Sequence, residues 1–343
     1  MKFFSIQQKE FLKRRQIASY RKDMRRVGIE RHKNARSRLI FSKILKPTKI
    51  PAPKHFNLIN RVHRKALLDF IDAVTTSVRI GKRVVIDFRD TTELSPCGTL
   101  YFVANVENLI QLYPLQLTCR LPRNNVVEQL FQHIGLLAKL GQSSSCSITA
   151  ENVVRWHYAT GIDASTSNFQ SLLLAHGDAM GGEIARSELY DSMSEAITNT
   201  RKHAYPLYND DETQWWMFSQ ALENKLTVVI CDLGIGIPGS LLHKPELKDY
   251  FRKLTYIGTP KKHDQLLIQI ATQTKRTSSK LPYRGKGLPQ MLHFISSRKK
   301  GEFRVQSGYG YYYFDAEVWI ERTGAYQQQT IGTLIQWTLP LAD

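Results

Sequence analysis

The segment Lys225-Leu226-Thr227-Val228-Val229-Ile230-Cys231-Asp232-Leu233-Gly234-Ile235-Gly236 constrains this chain more than any other. Val228 to Cys231 is an apolar, partly β-branched run of the kind that forms a buried strand. It delivers one carboxylate, Asp232, and then stops at two glycines. A carboxylate at a buried strand end is costly unless a donor meets it. Gly234 and Gly236 let backbone come close to whatever supplies that donor. A second strand is expected just upstream, near Gln214 to Gln220, joined by a turn at Glu223-Asn224.

Three further segments carry chemistry of the same kind. A long helix is expected from Glu183 to about His203, with Leu189, Met193, Ala196 and Ile197 on its buried side. Glu195, Asn199 and His203 follow one another at i, i+4 and i+8, along one face. Asn199 can offer a neutral oxygen to a hard cation that keeps several waters. Glu195 can orient or deprotonate an attacking water. Arg284-Gly285-Lys286-Gly287-Leu288 opens a helix expected to end near Lys300. Backbone N–H groups at a helix N-terminus form an anion site, and glycines clear the approach for phosphates. Gly332-Thr333 begins a strand expected to run to Leu339, after others near Phe303–Gln306 and Tyr311–Trp319. Asp232 suits the exocyclic amine of adenine. Guanine would present an acceptor there and repel it.

In this order the segments resemble the GHKL superfamily of DNA gyrase B subunits, ninety-kilodalton heat-shock chaperones, histidine kinases and mismatch-repair ATPases. The matching residues are Glu195-x-x-x-Asn199-x-x-x-His203-Ala204, Asp232-x-Gly234-x-Gly236, Gly285-x-Gly287-Leu288 and Gly332-Thr333. The resemblance spans residues 180 to 343 and implies ATP and Mg²⁺ as cofactors. It implies that Asn199 holds Mg²⁺ and that Asp232 recognises the adenine amine, supported by Thr333 through a shared water. Gly285, Lys286, Gly287 and Leu288 would cradle the phosphates, and Glu195 would be the general base. Residues 239 to 284, a polar stretch without clear periodicity, would be the ATP lid, with Lys275-Arg276-Thr277-Ser278 reaching the γ-phosphate. Kinase members also carry a Glu at the position of Glu195, so that residue leaves hydrolysis and transfer both open. No histidine phospho-acceptor motif is recognisable. His176 lacks its usual Glu-Leu-Arg company and reads as an ordinary loop or core histidine.

Upstream, Leu67 to Val74 reads as a helix, Arg83 to Phe88 as a buried parallel strand, and Thr99 to Leu112 as a helix. Leu115 to Leu121 and Val126 to Leu137 read as another strand and helix, so a parallel or mixed sheet is expected. Val84-Val85-Ile86-Asp87-Phe88, Ser95-Pro96-Cys97-Gly98-Thr99-Leu100 and the helix ending His133-Ile134-Gly135-Leu136 resemble the STAS domains of anti-sigma-factor antagonists. In that family the residue before the glycine is a phosphorylated Ser. Here it is Cys97, which cannot take over that switch, and Ser95 is expected to cap the helix. The expected fold class is therefore α/β with two domains: a STAS-like α/β domain at 56–145 and a Bergerat-fold α/β sandwich at 146–343. They follow a basic helical arm and linker at 1–55, with Pro47, Pro51 and Pro53 in the linker. The Ser-rich run Gln142 to Ser147 marks the domain boundary.

Charge is concentrated in the arm. Residues 1 to 50 hold 16 Lys/Arg against 3 Asp/Glu, which accounts for most of the net +18. Such a segment suits nucleic acid, an anionic surface or an acidic partner. No run of about 18 apolar residues indicates a membrane span. Four scattered cysteines, Cys97, Cys119, Cys146 and Cys231, argue against a disulfide scaffold and for a cytoplasmic setting. Three functions are expected: a Mg-dependent ATPase or ATP-driven switch of a partner interaction, a serine/threonine kinase of the anti-sigma type, or a nucleic-acid-binding protein with structural ATP. The partner would meet the STAS-like domain, nucleic acid the arm, and lid closure in the superfamily implies a homodimer.

Overall fold

The computed structural model describes residues 47–144, 146–162, 183–206, 213–242, 260–273 and 287–341. The first unit is built from β1 (Thr48–Pro51), β2 (His55–Phe56), α1 (Arg61–Arg79), β3 (Val84–Asp87), β4 (Glu93–Leu94), α2 (Pro96–Leu112), β5 (Leu117–Arg120), α3 (Asn125–His133) and α4 (Leu136–Lys139). β1, β3 and β5 form a parallel sheet with β3 in the middle, and β2 and β4 form a separate parallel pair. The helices begin where the sequence supplies caps. The Asn60 carboxamide accepts the Val62 and His63 N–H groups, and Asn124 does the same for Val126 and Val127. Ser95 caps α2 by accepting the Gly98 N–H at 3.4 Å, as expected.

The proline-rich stretch is not a plain linker. Thr48–Pro51 is an edge strand that pairs with β3, and Lys49 bridges to Asp87 at 2.8 Å. An edge position tolerates Pro51 because one side of the strand needs no donor.

The second unit contains α5 (Glu151–Val154), β6 (Trp156–Gly161), α6 (Glu183–Asn199), β7 (Trp215–Leu222), β8 (Lys225–Asp232), α7 (Gly236–Leu242), α8 (Pro260–Gln273), α9 (Gly287–Arg298), β9 (Glu302–Asp315) and β10 (Ile320–Pro340). Its five-stranded sheet has the order β6-β7-β8-β10-β9 and is antiparallel throughout. Glu223 and Asn224 join β7 to β8 with φ of 51° and 57°, the left-handed pair that suits a tight hairpin. The three C-terminal strands expected from the sequence are two long ones, β9 and β10, joined as one hairpin. The stretch expected to lack periodicity contains α8, whose Asp264 accepts the Tyr309 N–H of β9 at 2.8 Å.

Both faces of the five-stranded sheet are covered. On one, Met217, Val228, Ile230, Ile335 and Trp337 pack against α6 and α9 through Met193, Ile197, Met291 and Ile295. On the other, Trp156, Trp216, Phe218, Val229, Cys231 and Leu334 join the core of the first unit. α2 packs on β7 and β8 and is buried nearly all round from Cys97 to Val106. A helix that is apolar all round belongs between layers. Glu107 lies inside that contact, where it accepts from Trp216 Nε1 at 2.9 Å and the Tyr158 hydroxyl at 2.6 Å and pairs with Lys139. The Ser-rich boundary is stitched down as well: Gln129 Oε1 accepts the Thr149 and Ala150 N–H groups. Among the described residues no helix is long and apolar enough to cross a membrane.

Candidate functional site

Asp232 ends β8 with its side chain almost fully buried, at 5% exposure. Its Oδ1 accepts the Gly234 N–H at 2.9 Å and the Thr333 N–H at 3.2 Å. No described cation pairs with it. Burial pushes the carboxyl up to about 6, while the bonds from Gly234 and Thr333, including the Thr333 side chain, pull the other way. The Thr333 contact is thus direct.

Gly234 and Gly332 carry the close approaches that make this possible. A Cβ on Gly234 would sit 2.2 Å from Ala204 O, at the end of the α6 segment, where the Ile235 N–H already donates at 2.8 Å. Gly332 has φ of 74°, and a Cβ there would meet Asp232 O at 1.9 Å. An L side chain at either place is incompatible with the packing.

Glu195 and Asn199 lie half-buried near the C-terminal end of α6. They face the start of α9: a Cβ on Gly287 would stand 2.3 Å from Asn199 Nδ2 and 3.1 Å from Glu195 Oε1. The pair and the helix N-terminus are therefore neighbours, although nearly ninety residues apart in the chain. Beyond Asn199 the helix widens into a π-turn, Thr200–Ala204, and His203 is exposed. The common face expected for all three residues ends at Asn199, because a π-turn breaks the i+4 progression. Leu288 is half-buried against the α6–α9 core. Gly236, with φ of 72°, starts α7. Gly285, Lys286 and Lys275 to Ser278 lie outside the described residues, as do His176 and the basic arm to Lys46.

Several side chains that hold the site together were not evident in the sequence. Ser307, fully buried on β9, donates to Gly332 O at 2.7 Å and accepts the Ile237 N–H at 2.9 Å. It ties the start of α7 to the Gly332 turn. Tyr205 accepts the Leu233 N–H at 3.0 Å and donates to Gln214 O at 2.8 Å. Tyr101 of α2 accepts the Ile331 N–H at 2.8 Å. Hydroxyl bonds to distant backbone leave no local sequence signal, and only a buried Ser in a strand hints at one.

At the start of α2, Cys97 is buried with its thiol 3.5 Å from Ser95 Oγ, and Ser95 donates to Phe56 O at 2.7 Å. Both groups are engaged in seating α2. Among the described residues no group of three or more His, Cys, Asp or Glu side chains is placed to hold a metal ion.

By class the chain is an α/β protein, a parallel three-stranded unit followed by a five-stranded antiparallel sheet packed with helices. No family model and no curated protein matches it.

Proposed function

We propose that this protein binds ATP with Mg²⁺ in a Bergerat-type pocket and acts as an ATPase or an ATP-driven switch. One observation carries the reading: segments far apart in the chain meet, β8 with β10, α6 with α9, and the turn after α6 with Gly234. Asp232 is fixed by Gly234 and Thr333, and Glu195 and Asn199 lie against Gly287 at the start of α9. The residues fit the ligand. A buried carboxylate raised to about 6 has capacity for one more donor, which the adenine amine provides. Asn199 carries an amide oxygen of the kind a hard cation takes, and the helix N-terminus beside it suits the phosphates that would share that cation.

When bound, Mg²⁺–ATP supplies the phosphoanhydride bond. Asp232 selects adenine over guanine by accepting where guanine has no donor. The α9 N-terminus receives negative charge. Glu195, one turn before Asn199, is placed to take a proton from water. The STAS-like unit, a protein partner, a homodimer, nucleic-acid contact by the arm and a cytoplasmic setting belong to the same proposal.

Isothermal titration with Mg–ATP tests the pocket. Asp232→Asn and Asn199→Ala are expected to bind at least tenfold more weakly than the parent, a loss of about 1.4 kcal/mol or more. Equal binding by both variants refutes the assignment. With γ-labelled ATP, release of phosphate marks hydrolysis. Label carried on a protein selects the kinase reading instead.

A further inference from the structure

The hairpin of β9 and β10 is irregular at two places, and the first unit reaches into both. Pairing between the two strands jumps from Ala325↔Gly310 to Thr330↔Gly308, and then to Thr333↔Ser307. β10 pairs with β8 only from Leu334 onward. Ile331 and Gly332 therefore fall outside both ladders. Their backbone groups are met from elsewhere: the Ile331 N–H by the Tyr101 hydroxyl of α2, and Gly332 O by Ser307. At the other irregularity, Arg64 of α1 donates to Gln328 O at 3.2 Å and Asp69 accepts from the Gln328 carboxamide. Arg64 also donates to Gln306 Oε1 at 2.7 Å, one residue from Ser307, and stacks 3.8 Å over the Tyr326 ring.

The bulge held by Tyr101 leads directly into the nucleotide pocket. Gly332 lies against the Asp232 backbone, and the Thr333 N–H donates to the Asp232 carboxylate. Only Gly332 lies between Ile331, whose amide Tyr101 holds, and Thr333, whose amide holds Asp232. Tyr101 itself is buried at 3% exposure on a helix wedged between the two units. A bulge leaves its extra residues outside the ladder, so the placing of this one depends on the bond that Tyr101 supplies.

We propose that Tyr101 is a positioning residue for the nucleotide pocket, and that α2 couples to that pocket through the Tyr101 bond to the Ile331–Thr333 bulge. The proposal rests on the ATP-pocket reading above. Linkage makes the effect reciprocal: a nucleotide that fixes Asp232 and Thr333 tightens the seat of α2 by the same factor. A partner that draws Tyr101 away from Ile331 weakens nucleotide binding without touching the pocket.

The test compares the full chain with Tyr101→Phe and with Tyr158→Phe. Tyr158→Phe removes another hydroxyl bond to α2, half-buried and made to Glu107, away from the bulge. Mg–ATP titration and hydrogen exchange followed by mass spectrometry are the readouts. Tyr101→Phe is expected to weaken ATP about fivefold or more, while Tyr158→Phe stays within about twofold. Without nucleotide, Tyr101→Phe speeds exchange at residues 331–333. In the parent, ATP slows exchange along 96–112, and Tyr101→Phe abolishes that slowing. ATP binding by Tyr101→Phe equal to the parent overturns the proposal, as does an equal loss in Tyr158→Phe, which would mark general loosening. If the parent binds no ATP, the pocket reading itself has failed. The exchange at 331–333 then decides separately whether α2 holds the bulge, and unchanged exchange removes that as well.

Discussion

Replacing Asp232 by Asn is expected to make the nucleotide-free protein more stable at neutral pH. The carboxyl is raised from 3.8 to about 6 by burial, against hydrogen bonds that favour the ionised form. A tenfold change in proton affinity is worth about 1.4 kcal/mol, so keeping Asp232 ionised in the folded state costs about 3 kcal/mol above pH 6. The sign follows from the direction. A carboxyl whose folded value lies above its unfolded value carries no penalty at low pH. The penalty grows from about pH 4 to about pH 6 and is constant above that. Asn keeps an oxygen for the Gly234 and Thr333 N–H groups and carries no charge, so the variant escapes the penalty. Urea unfolding without nucleotide, near pH 7.5 and again near pH 4, measures both stabilities. The variant is expected to lead by about 2–3 kcal/mol at the higher pH and by less than about 1 kcal/mol at the lower. Saturating ATP is expected to narrow that lead. A hundredfold excess over the parent's Kd adds about 2.7 kcal/mol to the parent and about 1.4 kcal/mol to a variant that binds tenfold more weakly, so the lead falls by about 1.3 kcal/mol. A variant less stable than the parent at neutral pH, or a gap that does not shrink with acid, refutes the reasoning.

Glu107→Ala takes the acceptor from Trp216 Nε1 and the Tyr158 hydroxyl between the units, while the part-exposed Lys139 turns to water, and is expected to cost about 2–3 kcal/mol. Urea unfolding followed by tryptophan fluorescence reads it, and a loss below about 1 kcal/mol counts against a structural role for this cluster. Gly234→Ala and Gly287→Ala are expected to fail in different ways. The first drives a methyl into backbone at Ala204 and yields little folded protein. The second meets only the movable ends of Asn199 and Glu195, so it folds with near-normal circular dichroism and loses ATP affinity in titration. Equal folding by both variants contradicts the packing described.

Much of the second unit was legible because its signals are local. A β-branched run, a two-residue turn with left-handed-tolerant Asn224 and a glycine-led helix start each announce themselves within a few residues. β1 was hidden by its own prolines, which are acceptable only at an edge, and edge status is a tertiary fact. α8 was masked by the polar residues around Leu266, Leu267 and Ile268. For the site, the residue types at Glu195, Asn199, Asp232 and Gly287 were readable, since charge and glycine spacing carry their own logic. Ser307, Tyr205 and Tyr101 were not. Each acts through one hydroxyl on remote backbone, and the Tyr101–Ile331 bond closes across 230 residues.

The double covering of the five-stranded sheet changes what counts as a part of this protein. Trp216, Phe218 and Val229 face the first unit, so a cut in the Ser-rich run between the units would bare the back of the sheet to water. Neither piece would be a self-sufficient building block. Exchanging the first unit for a relative, or transplanting the second, would require redesigning a whole layer of side chains rather than one joint. The two halves are bound to change together over generations, because a larger residue on α2 has to be answered by a smaller one on β7 or β8.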